Sequence, residues 1–158
     1  MKGNPKVLEY LNEVLKAELT AISQYFLHGE MMENWGYKRL AKETKKESID
    51  EMRHAEILME RILFLDGMPR MHELFPLRIG QSVKAQMEND LALETEAVAR
   101  LNSAIKESVA AGDNASRDLF ETILVDEEKH VNFLEAQLFM IQEMSYPRYL
   151  AMQMQEED

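Results

Sequence analysis

The chain contains no cysteine. Disulfides, thiolate zinc sites, cysteine-ligated iron–sulfur clusters and cysteine nucleophiles are therefore excluded, and any metal must be held by carboxylate and imidazole. Glycine and proline are scarce, 6 and 4 of 158 residues, so strands and long irregular segments have no obvious place. Leu, Met, Glu, Lys and Ala with long 3–4 periodicity predict a nearly all-helical chain instead. No run of eighteen apolar residues is present, and the opening MKGNPKVLEY lacks the basic region plus apolar stretch of a signal peptide. No membrane span and a cytoplasmic location are expected. Basic residues are outnumbered, 18 against 29 acidic, for a formal charge of −11. That balance argues against nucleic acid and anionic membranes, which need Lys/Arg neutralisation, and favours cations as partners. The 46% hydrophobic content suffices to bury one core, and a single domain over residues 1–158 is expected.

The first helix is predicted from about Pro5 to Asn34, with Gly36 as its stop, and the second from Lys38 to Leu65, closed by Asp66-Gly67 and Pro69. Residues 66–81, DGMPRMHELFPLRIGQ, carry two prolines and two glycines and exceed the usual connection between antiparallel helices. A helix of roughly 28 residues is about 42 Å long. A 16-residue connection, at most about 53 Å when extended, can return along its whole side. The third helix should start near Ser82 as N-cap and stop at Gly112; the fourth should run from Asp113 or Ser116 to Met144. Pro147 opens a short fifth helix, PRYLAMQ. Two hairpins joined by one long crossover is the connectivity of a ferritin-like four-helix bundle.

Alternating spacings of four and three trace the inward stripe of each helix. In the first, Leu11, Leu15, Glu18, Ile22 and Tyr25 share a face; in the third, Met87, Leu91, Glu94, Val98, Leu101 and Ile105. The second presents Leu40, Thr44, Glu47, Glu51, His54, Leu58, Ile62 and Leu65, and the fourth Phe120, Ile123, Glu127, His130, Leu134, Leu138 and Ile141. One glutamate thus interrupts each of two stripes, and a Glu-x-x-His interrupts each of the others. Carboxylates in an apolar core are costly without counter-charge. No Lys or Arg shares those stripe segments, whereas a pair of divalent cations would supply the charge. Oxygen-rich ligands with one imidazole per metal suit iron or manganese. A lone Glu-x-x-His is an ordinary surface pattern. Two of them in matched register are not. Adding 76 to Glu18, Glu51 and His54 reaches Glu94, Glu127 and His130, and Asp50 maps to Asp126. The halves read as a duplicated helical hairpin whose six ligands meet at one level.

The segments LNEVLKAELTAISQYFLH, NWGYKRL, KESIDEMRHAEILMERILFLDGMP, DLALE and SRDLFETILVDEEKH resemble the bacterioferritins. By that resemblance Glu18 with His54 would hold one iron and Glu94 with His130 the other, with Glu51 and Glu127 bridging. The resemblance further implies ferroxidase activity with dioxygen or peroxide, and a shell of twenty-four subunits, built of dimers, that stores ferric mineral. It also implies a b-type haem shared between two subunits, with Met52 at the position of the axial ligand, and a ferredoxin-like reductant for iron release. Met52 follows Glu51 directly, so helical geometry turns it about 100° from the metal-facing stripe; it should point outward, beside Leu19, Ile22, Phe26 and Ile49.

The resemblance has gaps. Lys45-Lys46 stands where many members have Tyr-His, which removes an aromatic from the expected haem pocket and an imidazole from an accessory inner iron site. Tyr25, seven residues after Glu18, is read either as an electron donor or ligand partner, or as a core tyrosine with a bonded hydroxyl. His28 and His72 lack a Glu three residues before them and are expected at the surface or an interface; Trp35 is expected to pack. Two other functions share the motif: a di-iron carboxylate peroxidase or oxidase that stores no iron, and a non-enzymatic scaffold. An oxygenase would need a substrate cavity where Ile22, Leu58, Val98 and Leu134 are expected to fill the space.

Overall fold

A computed structural model describes residues 1–155; the last three residues of the expected 1–158 unit lie outside the described ones. It has five helices in the expected order: α1 Pro5–Asn34, α2 Lys38–Phe64, α3 Val83–Ala110, α4 Asn114–Met144 and α5 Tyr146–Met152. Local chemistry explains the ends. The Asn4 side chain accepts from the backbone N–H of Lys6 and Val7, Ser82 from Ala85, and Asp113 from Ser116, each satisfying donors that the first turn leaves free. Gly36 and Gly112 take φ of 92° and 70° just past α1 and α3, the left-handed turn that stops a helix.

α1 packs along α2 and α3 along α4, and the two hairpins meet mainly through α1 and α3. Two apolar cores result. One is built on Leu11, Leu15, Leu58, Ile62, Leu101, Phe120 and Ile123, the other on Met32, Leu40, Met87, Leu134, Ile141 and Tyr149. Between them, around Ala21, Tyr25 and Leu93, lies the level of the stripe glutamates. α5 closes the second core through Tyr149, whose hydroxyl donates to Gln137 Oε1 at 2.6 Å.

The crossover returns along α1, held by a polar ladder. The backbone N–H of Arg70 donates to Asn12 Oδ1 (2.9 Å), Phe75 to Thr20 Oγ1 (2.9 Å), Arg78 to Gln24 Oε1 (3.0 Å) and Gly80 to His28 Nε2 (3.1 Å). Spacings of four and eight keep these acceptors on one side of α1. They satisfy backbone groups that an irregular segment cannot pair with itself. No side chain fits at Gly80, since a Cβ there would stand 2.4 Å from the backbone nitrogen of Gln86.

Two expectations are corrected here. His28 is fully buried and not at the surface. Its Nε2 accepts from Gly80, so Nδ1 carries the proton and donates to Asp90 Oδ1 at 2.9 Å, where Gln24 Nε2 also donates at 2.8 Å. The buried face of α3 also differs from its predicted stripe. Leu91, Val98 and Ile105 are half-buried, whereas Gln86, Asp90, Leu93, Ala97 and Ala104 are buried. The reason is that α3 packs against α1 and the crossover as well as α4, which rotates its enclosed face. On α2 all eight stripe residues are buried.

Candidate metal centre

Each of the four long helices delivers its stripe glutamate to one level between the two cores. Glu18, Glu51, His54, Glu94, Glu127 and His130 are exposed by only 0% (Glu51) to 8% (His130). Ligand atoms of Glu18, Glu51, His54 and Glu127 lie within 4.8 Å of one another, as do those of Glu51, Glu94, Glu127 and His130. Glu51 and Glu127 belong to both groups. His54 Nδ1 is 3.2 Å from Glu127 Oε1 and 3.5 Å from an oxygen of both Glu18 and Glu51. His130 Nδ1 is 3.0 Å from Glu51 Oε1, 3.4 Å from Glu94 Oε1 and 3.9 Å from Glu127 Oε1.

Close as these atoms are, they do not satisfy one another. Glu18 Oε2, both Glu51 oxygens, Glu94 Oε2, Glu127 Oε1 and Nδ1 of both histidines are buried without an aligned hydrogen bond. A folded chain rarely leaves so many polar atoms orphaned at one point, and each carries a desolvation cost of about 1–3 kcal/mol. Such an array is costly unless something else satisfies it, and two cations would meet every one of these lone pairs.

The electrostatics of the cation-free cluster agree. Burial, then the charges of Glu51 and Glu94, hold the Glu127 carboxyl well above the ordinary range. Burial pushes Glu51 up too, but the His130 and His54 imidazoles beside it bring it down to about 2. Burial lowers His130, yet its contacts with Glu51 and Glu94 raise it to about 11.

Three further residues stand beside the six ligands. Tyr25 is fully buried and its hydroxyl donates to Glu94 Oε1. Asp126 Oδ2 lies 2.9 Å from His54 Nε2; it stood out only as the register partner of Asp50. Glu47 is buried beside the cluster, and burial raises its carboxyl to about 8. A cavity of about 390 Å³ lined by Glu43, Glu47, Asp50 and Asp126 reaches both His54 and His130.

A ferritin-like domain profile matches residues 8–144. The bacterioferritin of Mycolicibacterium paratuberculosis is 50% identical over 151 residues, covering 96% of this chain and 95% of that one. This chain belongs to the bacterioferritin family. The bacterioferritin of Streptomyces coelicolor is 49% identical, covering 96% of this chain and 90% of its own. That of Brucella melitensis is 46% identical, covering 94% and 92%. Membership accounts for the long crossover and fifth helix together with the doubled Glu-x-x-His. Against the bacterioferritin pattern, Lys45 occupies the position of the missing aromatic and pairs with Glu30 and Glu33 at 2.7 and 2.5 Å. Met52 is 43% exposed, and Phe26 and Ile49 are about equally exposed; it points outward as expected.

Among the described residues, no helix is long and apolar enough to cross a membrane.

Proposed function

We propose that this chain is an iron-storage ferroxidase whose substrate, ferrous iron, binds as a pair at Glu18, Glu51, His54, Glu94, Glu127 and His130. The observation that carries the reading is the set of orphaned carboxylate and imidazole atoms converging on two overlapping groups. Glu18 and His54 serve one position, Glu94 and His130 the other, and Glu51 and Glu127 bridge them. Bound there, each ferrous ion gives up one electron, and dioxygen or hydrogen peroxide accepts the pair. The protein's part is to preorganise. The apolar cores on either side exclude bulk water, and Tyr25 occupies Glu94 Oε1 and leaves Oε2 for the metal. Tyr25 is also placed to supply an electron. Leu58 and Leu134 are buried in the stripe where an organic substrate would have to sit, which favours storage over a peroxidase or oxidase without it.

The ferric product is stored in a shell of twenty-four subunits assembled from dimers in the cytoplasm, and a ferredoxin-like reductant releases it. Met52 would contribute its thioether to a b-type haem shared with a second subunit; its exposure, with Leu19, Ile22, Phe26 and Ile49 as apolar residues of the same two helices, supports this.

Oxygen added after anaerobic loading with ferrous iron tests the reaction. Oxidation should be fast in the native protein and fall to the solution rate in a Glu18→Ala, Glu127→Ala variant; equal rates would sink the proposal. Storage requires a hollow particle, so a stable dimer at working concentration would remove it. Reduced Met52→His should show an altered visible spectrum, and an unaltered one would remove Met52 as ligand.

A further inference from the structure

We propose that Asp126 is a positioning residue that fixes His54 as a ligand, and that it makes the Glu18/His54 position the tighter of the two. The inference rests on the dimetal reading and adds a difference between its halves. His54 Nδ1 faces Glu18, Glu51 and Glu127, while Nε2 points the opposite way to Asp126 Oδ2 at 2.9 Å. An imidazole that presents Nδ1 to a cation carries its proton on Nε2, and a carboxylate accepting that proton sets both tautomer and ring plane. The other Asp126 oxygen faces Lys129 at 3.8 Å, a long and exposed contact that leaves the carboxylate free to serve His54.

The duplicated hairpin predicts the same device on the other side, since Asp50 is the register partner of Asp126 and His130 that of His54. The structure breaks that symmetry. Asp50 Oδ1 turns to Arg53 Nη1 at 3.3 Å. Among the described residues, no carboxylate stands within ion-pairing distance of His130 Nε2; its three ion-pair contacts all run through Nδ1. One histidine is clamped from behind and the other is held only from the front. A preoriented ligand spends no freedom on binding, so the clamped side should fill first.

Cobalt(II), titrated into the assembled, metal-stripped protein and followed by its visible ligand-field bands, reads the two positions without oxidation chemistry. The native protein should take up two ions per chain in two phases. Asp126→Ala should weaken one phase by about 10- to 100-fold. Asp126→Asn, which keeps an acceptor oxygen at the same place, should fall between Asp126→Ala and native. Asp50→Ala removes an equal charge from the same cavity and should leave both phases in place. In a His54→Ala background, Asp126→Ala should have no further effect. Unchanged phases in Asp126→Ala would overturn the inference, as would an equal loss in Asp50→Ala or a persisting effect without His54. A native protein that takes up no cobalt pair would instead overturn the dimetal reading itself. Asp126 is 43% exposed on α4, so its truncation leaves both cores intact, and retained particle size checks this.

Discussion

The two halves of the centre share a ligand set and differ in what surrounds it. Moving 76 positions along the chain carries Glu18, Glu51 and His54 onto Glu94, Glu127 and His130, but carries Tyr25 onto Leu101 and Glu47 onto Ile123. The counterparts Leu101 and Ile123 belong to the apolar core beside Leu58 and Phe120. Around Glu94 and His130, by contrast, stand a buried phenol and a further buried carboxylate. The α1 ladder is likewise unmatched: Asn12, Thr20, Gln24 and His28 map onto Glu88, Glu96, Arg100 and Ala104. The two hairpins share the candidate ligands and differ in their neighbours, and α1 alone of the two matched helices meets the crossover through this ladder. Symmetry of ligands therefore does not imply equality of the two positions.

The comparison breaks most completely at a shared ligand. Glu51→Ala removes an acid common to both groups, and cobalt(II) binding should fall from two ions per chain to none; one retained ion would show that Glu51 serves a single half. Next comes the crossover side. His28→Ala would leave the Gly80 N–H buried and unmatched and take the imidazole donor from Asp90, which keeps Gln24, at a cost of about 3 kcal/mol, and calorimetry should find a markedly lower thermal midpoint. Burial already raises the Asp90 carboxyl, with His28 and Gln24 holding it down; an unchanged midpoint would deny the ladder its structural role.

A pH-dependent effect belongs to Glu47. Its folded carboxyl keeps a proton to about pH 8, against an ordinary value of 4.5. A pKa raised on folding means that the unfolded chain loses its proton first as pH rises. The cation-free protein is thus progressively destabilised between those two values, and the penalty is complete above pH 8. Glu47→Gln should raise the midpoint of the metal-stripped protein at pH 9 and leave it nearly unchanged at pH 4. The opposite pH dependence would place Glu47 among groups that gain from ionising.

Much of the centre was legible in one dimension. Burying glutamates on apolar stripes is costly without counter-charge, and the spacing of three between Glu and His places both on one helix face, so the six candidate ligands could be named from phase and register. Asp126 was visible as a repeat partner of Asp50, yet nothing in the spacing says that one of these aspartates faces a histidine and the other an arginine. That choice depends on side-chain directions at a four-helix contact. The role of His28 was hidden for a similar reason: its partners Gly80 and Asp90 are 52 and 62 residues away.

Periodicity along the chain by itself determined the helices, their order, the long crossover and the level at which carboxylates and imidazoles converge. Those features follow from local geometry and from the cost of burying charge. Only the tertiary structure decided which face of α3 is enclosed, how the crossover satisfies its backbone, and that the two halves of a duplicated site are unequal. Each of these is settled by groups distant in sequence competing for the same few hydrogen-bonding directions in space.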